Sequence, residues 1–382
     1  MSFFKFSDEP FGEPERIPER LYGKVDSIEP ENRAPGEPFT ILIEVIDADY
    51  ADDFLSEELT NGLPIDDERI YGDEMIGVVS IDISYEHFGL FDAYIEEDAE
   101  ENLWVILERD PGGIEVEYYF NLFQQPAIQY YNLKILNDFE SQNLTSAFSM
   151  SALQASSEDE IQAALDARRL PVDSAAVYDV GQGNCNAITD GSGRPHLYYD
   201  FGGGVKRNAK TYPPGLNKFC FTQKPIFVLS HWDWDHWSSA LRTYSAIPDA
   251  DAIKSTWILP EQNLGAVHRR FLSFLLTNGT VYIWPKNAFA HIRSGPVDIY
   301  RTAGPKRNHD GLVMEFRPGW AQGRGILMTG DCDYSYLPAH MNGLADYDAI
   351  IIPHHGGGLK PRTQRNPANY VPGPSAGSYT RL

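Results

Sequence analysis

VLSHWDWDHW, residues 228–237, runs from an apolar strand directly into His231, Asp233, Asp235 and His236. Four residues of ligand type thus fall within six positions. In an extended segment alternate side chains share a side, so His231, Asp233 and Asp235 face together, and His236 turns inward as the next helix starts. Imidazole nitrogen and carboxylate oxygen are donors that Zn, Mn and Fe accept. The plainer alternative is a polar helix N-terminus with Asp as the cap. That alternative does not account for four such residues directly after a buried strand.

Two further strand ends repeat the pattern. Gly325–Thr329 leads into Gly330-Asp331, and Ala349–Ile352 leads into Pro353-His354-His355-Gly356-Gly357. Sites of α/β proteins lie where strands end, so three such ends bring His, Asp and His to one cleft. Around them the chain alternates strand-like runs (175–180, 196–201, 226–230, 255–259, 311–316, 325–329, 349–352) with helical patterns such as 265–276. This is the layout of an α/β domain over 171–382.

The preceding part differs in composition. Of the net charge of −24, residues 1–164 carry 8 Lys+Arg against 38 Asp+Glu, a balance of −30, and residues 165–382 carry 23 against 17, a balance of +6. The global value therefore does not exclude an anionic substrate for the second half. Val-, Ile-, Tyr- and Phe-rich runs at 39–46, 75–83, 103–107, 114–120 and 128–135 predict an acidic β-rich domain, a sandwich or small barrel, over residues 1–150. The run Glu96–Glu101 reads as a solvated loop or as part of a surface for a protein partner. Ser157 and Glu160 form a capping-box pattern, which predicts a connector helix within 151–170, ending before Pro171.

The longest apolar stretches fall far short of the ~20 residues of a membrane span, and the N-terminus lacks the apolar core of a secretory signal. Three cysteines without CxxC spacing fit a reducing compartment. The expectation is a cytoplasmic protein with no membrane partner.

Over residues 172–382 the sequence resembles the metallo-β-lactamase-fold superfamily, and within it the soluble hydrolase domain of ComEC-type competence proteins. The motifs carrying the resemblance are DVGQGN (179–184), YYDFGG (198–203), HWDWDH (231–236), Asn308 with GLVMEF (311–316), LMTGD (327–331) and PHHGG (353–357). It implies an αββα sandwich with metals at one edge. It further implies that His231 and Asp233 bind a first metal, Asp235 and His236 bind a second, Asp331 bridges them, and one of His354 and His355 completes the second site. His354 is favoured as the ligand because it leaves the strand first, with His355 then available for proton transfer. Asp179 and Asp200 would orient ligands and loops.

Two departures from the family pattern stand out. Asp233 occupies a position where most members have His, making a harder, more anionic site that favours Mn or Mg or holds its metal weakly. The third-motif histidine has His309 as its best substitute, although a surface turn residue is the favoured reading of that position.

The function expected is metal-dependent hydrolysis with Zn or Mn, one or two ions per chain, through a metal-bound water deprotonated near neutral pH. Asp235 or Asp331 would hold the nucleophile, and His355 would assist the leaving group. A phosphodiester substrate is favoured by the resemblance and by Lys206, Arg207 and Lys210, which follow Gly202–Gly204 as candidate phosphate contacts. The alternatives are a small-molecule lactone, thioester or β-lactam hydrolase, and a metal-poor pseudoenzyme that binds a partner through its acidic domain. Trp232, Trp234 and Trp237 read either as stacking platforms for a base or as core. Cys332 reads as a soft ligand or, by alternation, as core.

Overall fold

The computed structural model describes residues 17–29, 39–52, 76–83, 103–120, 122–123, 125–167, 172–216, 218–242, 252–319, 324–342, 347–352 and 380–381. The chain divides into two compact units, one comprising residues 1–152 and 263–273 and the other residues 153–262 and 274–382. No helix among the described residues is long and apolar enough to cross a membrane.

In the first unit, β1 (Arg20–Glu29), β2 (Phe39–Asp47), β3 (Ile76–Ile83), β4 (Trp104–Tyr119) and β5 (Ala127–Ile135) pair in sequence order. An additional antiparallel β1–β4 pairing closes β1 to β4 on themselves, with β5 paired to β4 alone. Leu21, Val25, Ile41, Ile43, Val45, Ile81, Val105, Leu107 and Tyr131 fill the interior. The runs at 103–107 and 114–120 are one strand, β4, whose register against β5 shifts between Arg109 and Ile114. Helix α1 (Asp138–Phe148) follows, started by a capping box between Asn137 and Glu140. It buries Leu144 and Phe148, and the Phe148 ring stacks on Trp104 at 5.4 Å.

The chain returns to this unit over 263–273, bringing His268 against β1 and β2. Lys24 and Glu44 are register partners, both buried. Glu44 accepts from the Val267 amide at 2.9 Å and lies 2.8 Å from His268 Nε2, while Asp26 Oδ1 lies 3.2 Å from the same nitrogen. Lys24 Nζ donates to the Asn263 carbonyl at 3.1 Å. The donor atoms of Asp26, Glu44 and His268 are close enough to hold a cation. Both carboxylates lie within ion-pair distance of His268 Nε2, so with the imidazole protonated the group is an ion-pair clasp. Burial works against the imidazolium, but Glu44 and Asp26 outweigh it and raise the His268 pKa. The stability it confers is therefore complete below the unfolded value of ~6.5 and is lost as pH rises through the raised folded value. His268→Gln should lower hydrogen-exchange protection of the β1 and β2 amides by on the order of 3 kcal/mol. The deficit should be largest near pH 6 and shrink at alkaline pH; a deficit independent of pH would contradict the clasp.

The second unit opens with α2 (Glu158–Asp166), capped by Ser157 with the reciprocal Glu160 bond. Its buried Ile161 and Leu165 join the main core of this unit. Two sheets follow. One has the order β11-β10-β9-β8-β7-β6-β17, from β6 (Val172–Val177), β7 (Cys185–Asp190), β8 (Pro195–Phe201), β9 (Ile226–Val228), β10 (Thr256–Pro260), β11 (Thr280–Trp284) and β17 (Thr380–Arg381). The other runs β12 (His291–Ser294), β13 (Val297–Arg301), β14 (Leu312–Phe316), β15 (Gly325–Met328), β16 (Tyr347–Ile351). Strands β8 to β11 are parallel, as are β15 and β16. One apolar core joins the two sheets: Ile188, Tyr199, Val228 and Ile258 from the first meet Ile299, Met314, Phe316, Met328 and Ile351 from the second. Face-to-face packing of this kind is what strands buried on both faces require. Helix α3 (Ala266–Asn278) begins in the first unit and ends in the second.

Candidate metal centre

β9 runs out through Leu229 into Ser230 and His231, and β15 runs out through Thr329 and Gly330 into Asp331. These two strand ends come together. The Leu312 amide of β14 donates to the Ser230 carbonyl at 2.7 Å, and the Tyr199 hydroxyl donates to the Leu312 carbonyl at 2.7 Å. The junction leaves no space for side chains at two positions. A Cβ at Gly202 would overlap the Asp235 carbonyl, and Gly330 combines φ +55° with a Cβ position taken by Ser230, so only glycine fits.

Asp200, at the end of β8, organises the ligands. It is 1% exposed and has φ +59°, a left-handed conformation costly for a non-glycine residue. Its Oδ1 accepts from the Ser230 amide at 2.7 Å, and its Oδ2 accepts from Ser230 Oγ at 2.9 Å, from Asn184 Nδ2 at 3.1 Å and from His236 Nδ1 at 2.9 Å. Because His236 Nδ1 gives its proton to a carboxylate, Nε2 is left with a lone pair. The Ser230 hydroxyl proton is committed to Asp200, so its oxygen accepts from His231 Nδ1 at 2.9 Å, and His231 Nε2 is likewise left with a lone pair. One carboxylate therefore sets both tautomers, the arrangement that metal-bound histidines need.

The ligand atoms of His231, His236 and Asp331, all buried, lie within 4.8 Å of one another. Asp331 Oδ1 is 3.5 Å and Asp235 Oδ1 3.9 Å from His236 Nε2, and the two imidazole rings are 4.2 Å apart. His231 Nε2 lies in the interior without a hydrogen bond, 3.0 Å from Asp233 Oδ2. Three buried donors of imidazole and carboxylate type, this close together, are a set that fits a divalent ion. Without a metal, burial works against a proton on His236, but Asp331 and Asp200 outweigh it and raise its pKa well above the usual imidazole range, so Nε2 then carries a proton that a bound cation would displace to expose the lone pair.

Asp233 has a different partner. Its Oδ1 forms an ion pair with the Arg307 guanidinium. Burial would raise the Asp233 carboxyl, but Arg307 and His231 outweigh it and hold it well below the usual carboxylate range. Arg307 is the residue that sequence reasoning missed. It adjoins Asn308 in the third motif, and its signal was a basic side chain where a ligand was expected. His309 lies apart from the three-residue group: its Nδ1 accepts from the Asp333 amide at 3.3 Å, and its ring stacks on Tyr336 at 4.5 Å.

Other residues singled out in the sequence are distributed as follows. Asp179 accepts from the Gly181 amide at 3.2 Å in the turn before β7. Lys206 is buried with Nζ 3.5 Å from the centroid of the Trp234 ring, while Arg207 and Lys210 are exposed. Trp232, Trp234 and Trp237 are all buried, so the stacking-platform reading is withdrawn: these rings pack the strand end instead. Cys332 belongs to a small core with Val313, Leu327 and Ile350, burial pushes its thiol up to about 12, and it is not in the ligand group of His231, His236 and Asp331. His354 and His355 lie outside the described residues.

Comparison with known families and with curated proteins finds no match. Several solved structures are similar to parts of the chain. The metallo-beta-lactamase fold protein YhfI of Bacillus subtilis is 14% identical over 47% of this chain and 71% of its own, with a TM-score of 0.31. A diphosphatase of the PhnP family is 12% identical over 47% and 73%, with a TM-score of 0.28. A long form RNase Z from yeast is 12% identical over 65% and 40%, with a TM-score of 0.30. At these scores the likenesses decide nothing about the site, whose chemistry rests on its own geometry.

Asp200→Asn tests that geometry. Asn tolerates the left-handed backbone, but the neutral amide is a poorer acceptor for the bonds that fix both imidazoles. Zn or Mn affinity measured by calorimetry should fall 10–100-fold with the fold retained. Unchanged affinity would mean that Asp200 does not orient the ligands.

Proposed function

We propose that the second unit is a metal-dependent hydrolase acting on a phosphodiester. The observation that carries this reading is the convergence of two tautomer-locked imidazoles, His231 and His236, with the Asp331 carboxylate at the ends of β9 and β15. A divalent cation held there would supply a Lewis acid and lower the pKa of a water toward ~7. His231, His236 and Asp331 would hold the ion. Asp235, whose side chain is 25% exposed, would accept the proton of the attacking water. His354 would add a ligand from the end of β16, and His355 would pass a proton to the leaving group.

A phosphodiester is favoured over a neutral substrate by the +6 balance of residues 165–382. Arg307 borders the centre, and Arg207 and Lys210 present exposed charge on the segment after Gly202–Gly204. Lys206, held over Trp234, contributes to packing rather than to that surface. Apo-protein reconstituted with Zn or Mn should hydrolyse bis-p-nitrophenyl phosphate. Activity should be lost in Asp331→Ala and Asp235→Ala while circular dichroism is unchanged. Turnover of a lactone or a cephalosporin without turnover of any phosphodiester would overturn the substrate class. Activity retained in Asp331→Ala would overturn the centre itself.

A further inference from the structure

The pairing of Asp233 with Arg307 bears on how many ions the centre holds. Five acid and imidazole side chains crowd this edge, enough in number for two ions. Their positions are not equivalent. His231, His236 and Asp331 form a compact group, whereas Asp233 meets His231 on one oxygen and Arg307 on the other. Among the described residues no further His, Cys, Asp or Glu joins His231 and Asp233 to make a second three-ligand group that includes Asp233. The remaining candidate imidazole, His309, is engaged by Asp333 and Tyr336.

Arg307 is held in place by its surroundings. Its carbonyl accepts from Gln262 Nε2 at 2.7 Å, and Gln262 Oε1 accepts from the Trp232 amide at 3.0 Å, which ties the Arg307 turn to the residue next to Asp233. The same turn is anchored at Asp310, whose carboxylate pairs with Arg301 at 2.9 Å and Lys286 at 2.7 Å, and whose carbonyl accepts from Arg301 Nη1 at 2.8 Å. The Arg307 side chain is 9% exposed, so its charge lies in a medium where an ion pair is strong and an unpaired carboxylate is costly.

We infer that Arg307 serves as the fixed cation on the Asp233 side of the centre, so that the chain binds one divalent ion rather than two. The inference rests on the metal-centre reading above and specifies it further. A guanidinium cannot lose its charge in a protein, so Asp233 is neutralised whether or not a metal is bound. A second divalent ion beside it would face an undiminished positive charge. With the guanidinium removed, Asp233 and His231 become one acceptor pair, and Asp235, His236 and Asp331 another.

Equilibrium dialysis of full-length protein against Mn(II), with ions counted per chain by elemental analysis, tests this independently of activity. Wild type and Arg307→Lys should bind one ion. Asp233→Asn should also bind one, with affinity within about threefold of wild type. Arg307→Met should bind two, the second at least tenfold more weakly than the first, and Arg307→Met/Asp233→Asn should return to one. Because Arg307→Met leaves a buried carboxylate unpaired, Asp233→Asn alone provides the check that does not depend on that variant folding. Two ions in wild type, or a loss of binding in Asp233→Asn, would overturn the single-ion assignment while leaving the metal centre intact. One ion in folded Arg307→Met would show that Arg307 does not keep a second ion out. No ion in any form would remove the metal centre, and this inference with it.

Discussion

The site depends on the Asp200 carboxylate. Four hydrogen bonds converge on it from Ser230, Asn184 and His236, in a setting with almost no solvent to replace them. Its positive φ is a local cost that the surrounding bonds offset. In return both imidazoles have their protons on Nδ1 and their lone pairs on Nε2. Without that carboxylate the Ser230 hydroxyl could point either way, and His231 would lose its fixed tautomer. Preorganisation at this edge is therefore traceable to one anionic group at the end of one strand.

The two sheets of the second unit make that arrangement rigid. Tyr199 and Ser230 from one sheet and Leu312 from the other exchange hydrogen bonds at the rim, directly above the shared apolar core. His231 and Asp331 thus follow strand ends whose separation is set by core packing, and His236 lies on the short helix Trp234–Trp237 that comes next. Close-packed interiors resist small displacements, which is what a centre with tolerances of a few tenths of an ångström requires. Glycine at 202 and 330 is the local consequence, since the backbones approach too closely there for any side chain.

Much of this was legible in the sequence because it is written in local pattern. Apolar runs ending in His231 and Asp331 marked β9 and β15, and Ser157 with Glu160 marked α2. Asn137 with Glu140 carries the same capping signal for α1, yet that helix is not anticipated by the reading of residues 103–170, which places strands first and a single connector helix after them. β1, with Gly23 and Lys24 within it, does not alternate cleanly, because Lys24 is buried where β1 pairs with β4 and donates to the Asn263 carbonyl. The strand pairs 185–190, 291–294 and 297–301 were likewise too short or too polar to read.

The function of Asp233 was not legible at all. Its spacing is that of a ligand, and only tertiary contact with a residue 74 positions later reveals an arginine partner. The same holds for Lys206, whose basic character suggested a phosphate contact and whose buried ammonium lies over an indole. Charge read from sequence gives sign and number, whereas its partner is a property of the fold.

The central claim is that His231, His236 and Asp331 together hold a divalent cation. The most direct measurement is an anomalous difference map from crystals of the full chain grown with Zn, with data collected on both sides of the Zn absorption edge. The account predicts a single edge-dependent peak among His231 Nε2, His236 Nε2 and the Asp331 carboxylate. Absence of density there, or a peak confined to Asp26, Glu44 and His268, would contradict it.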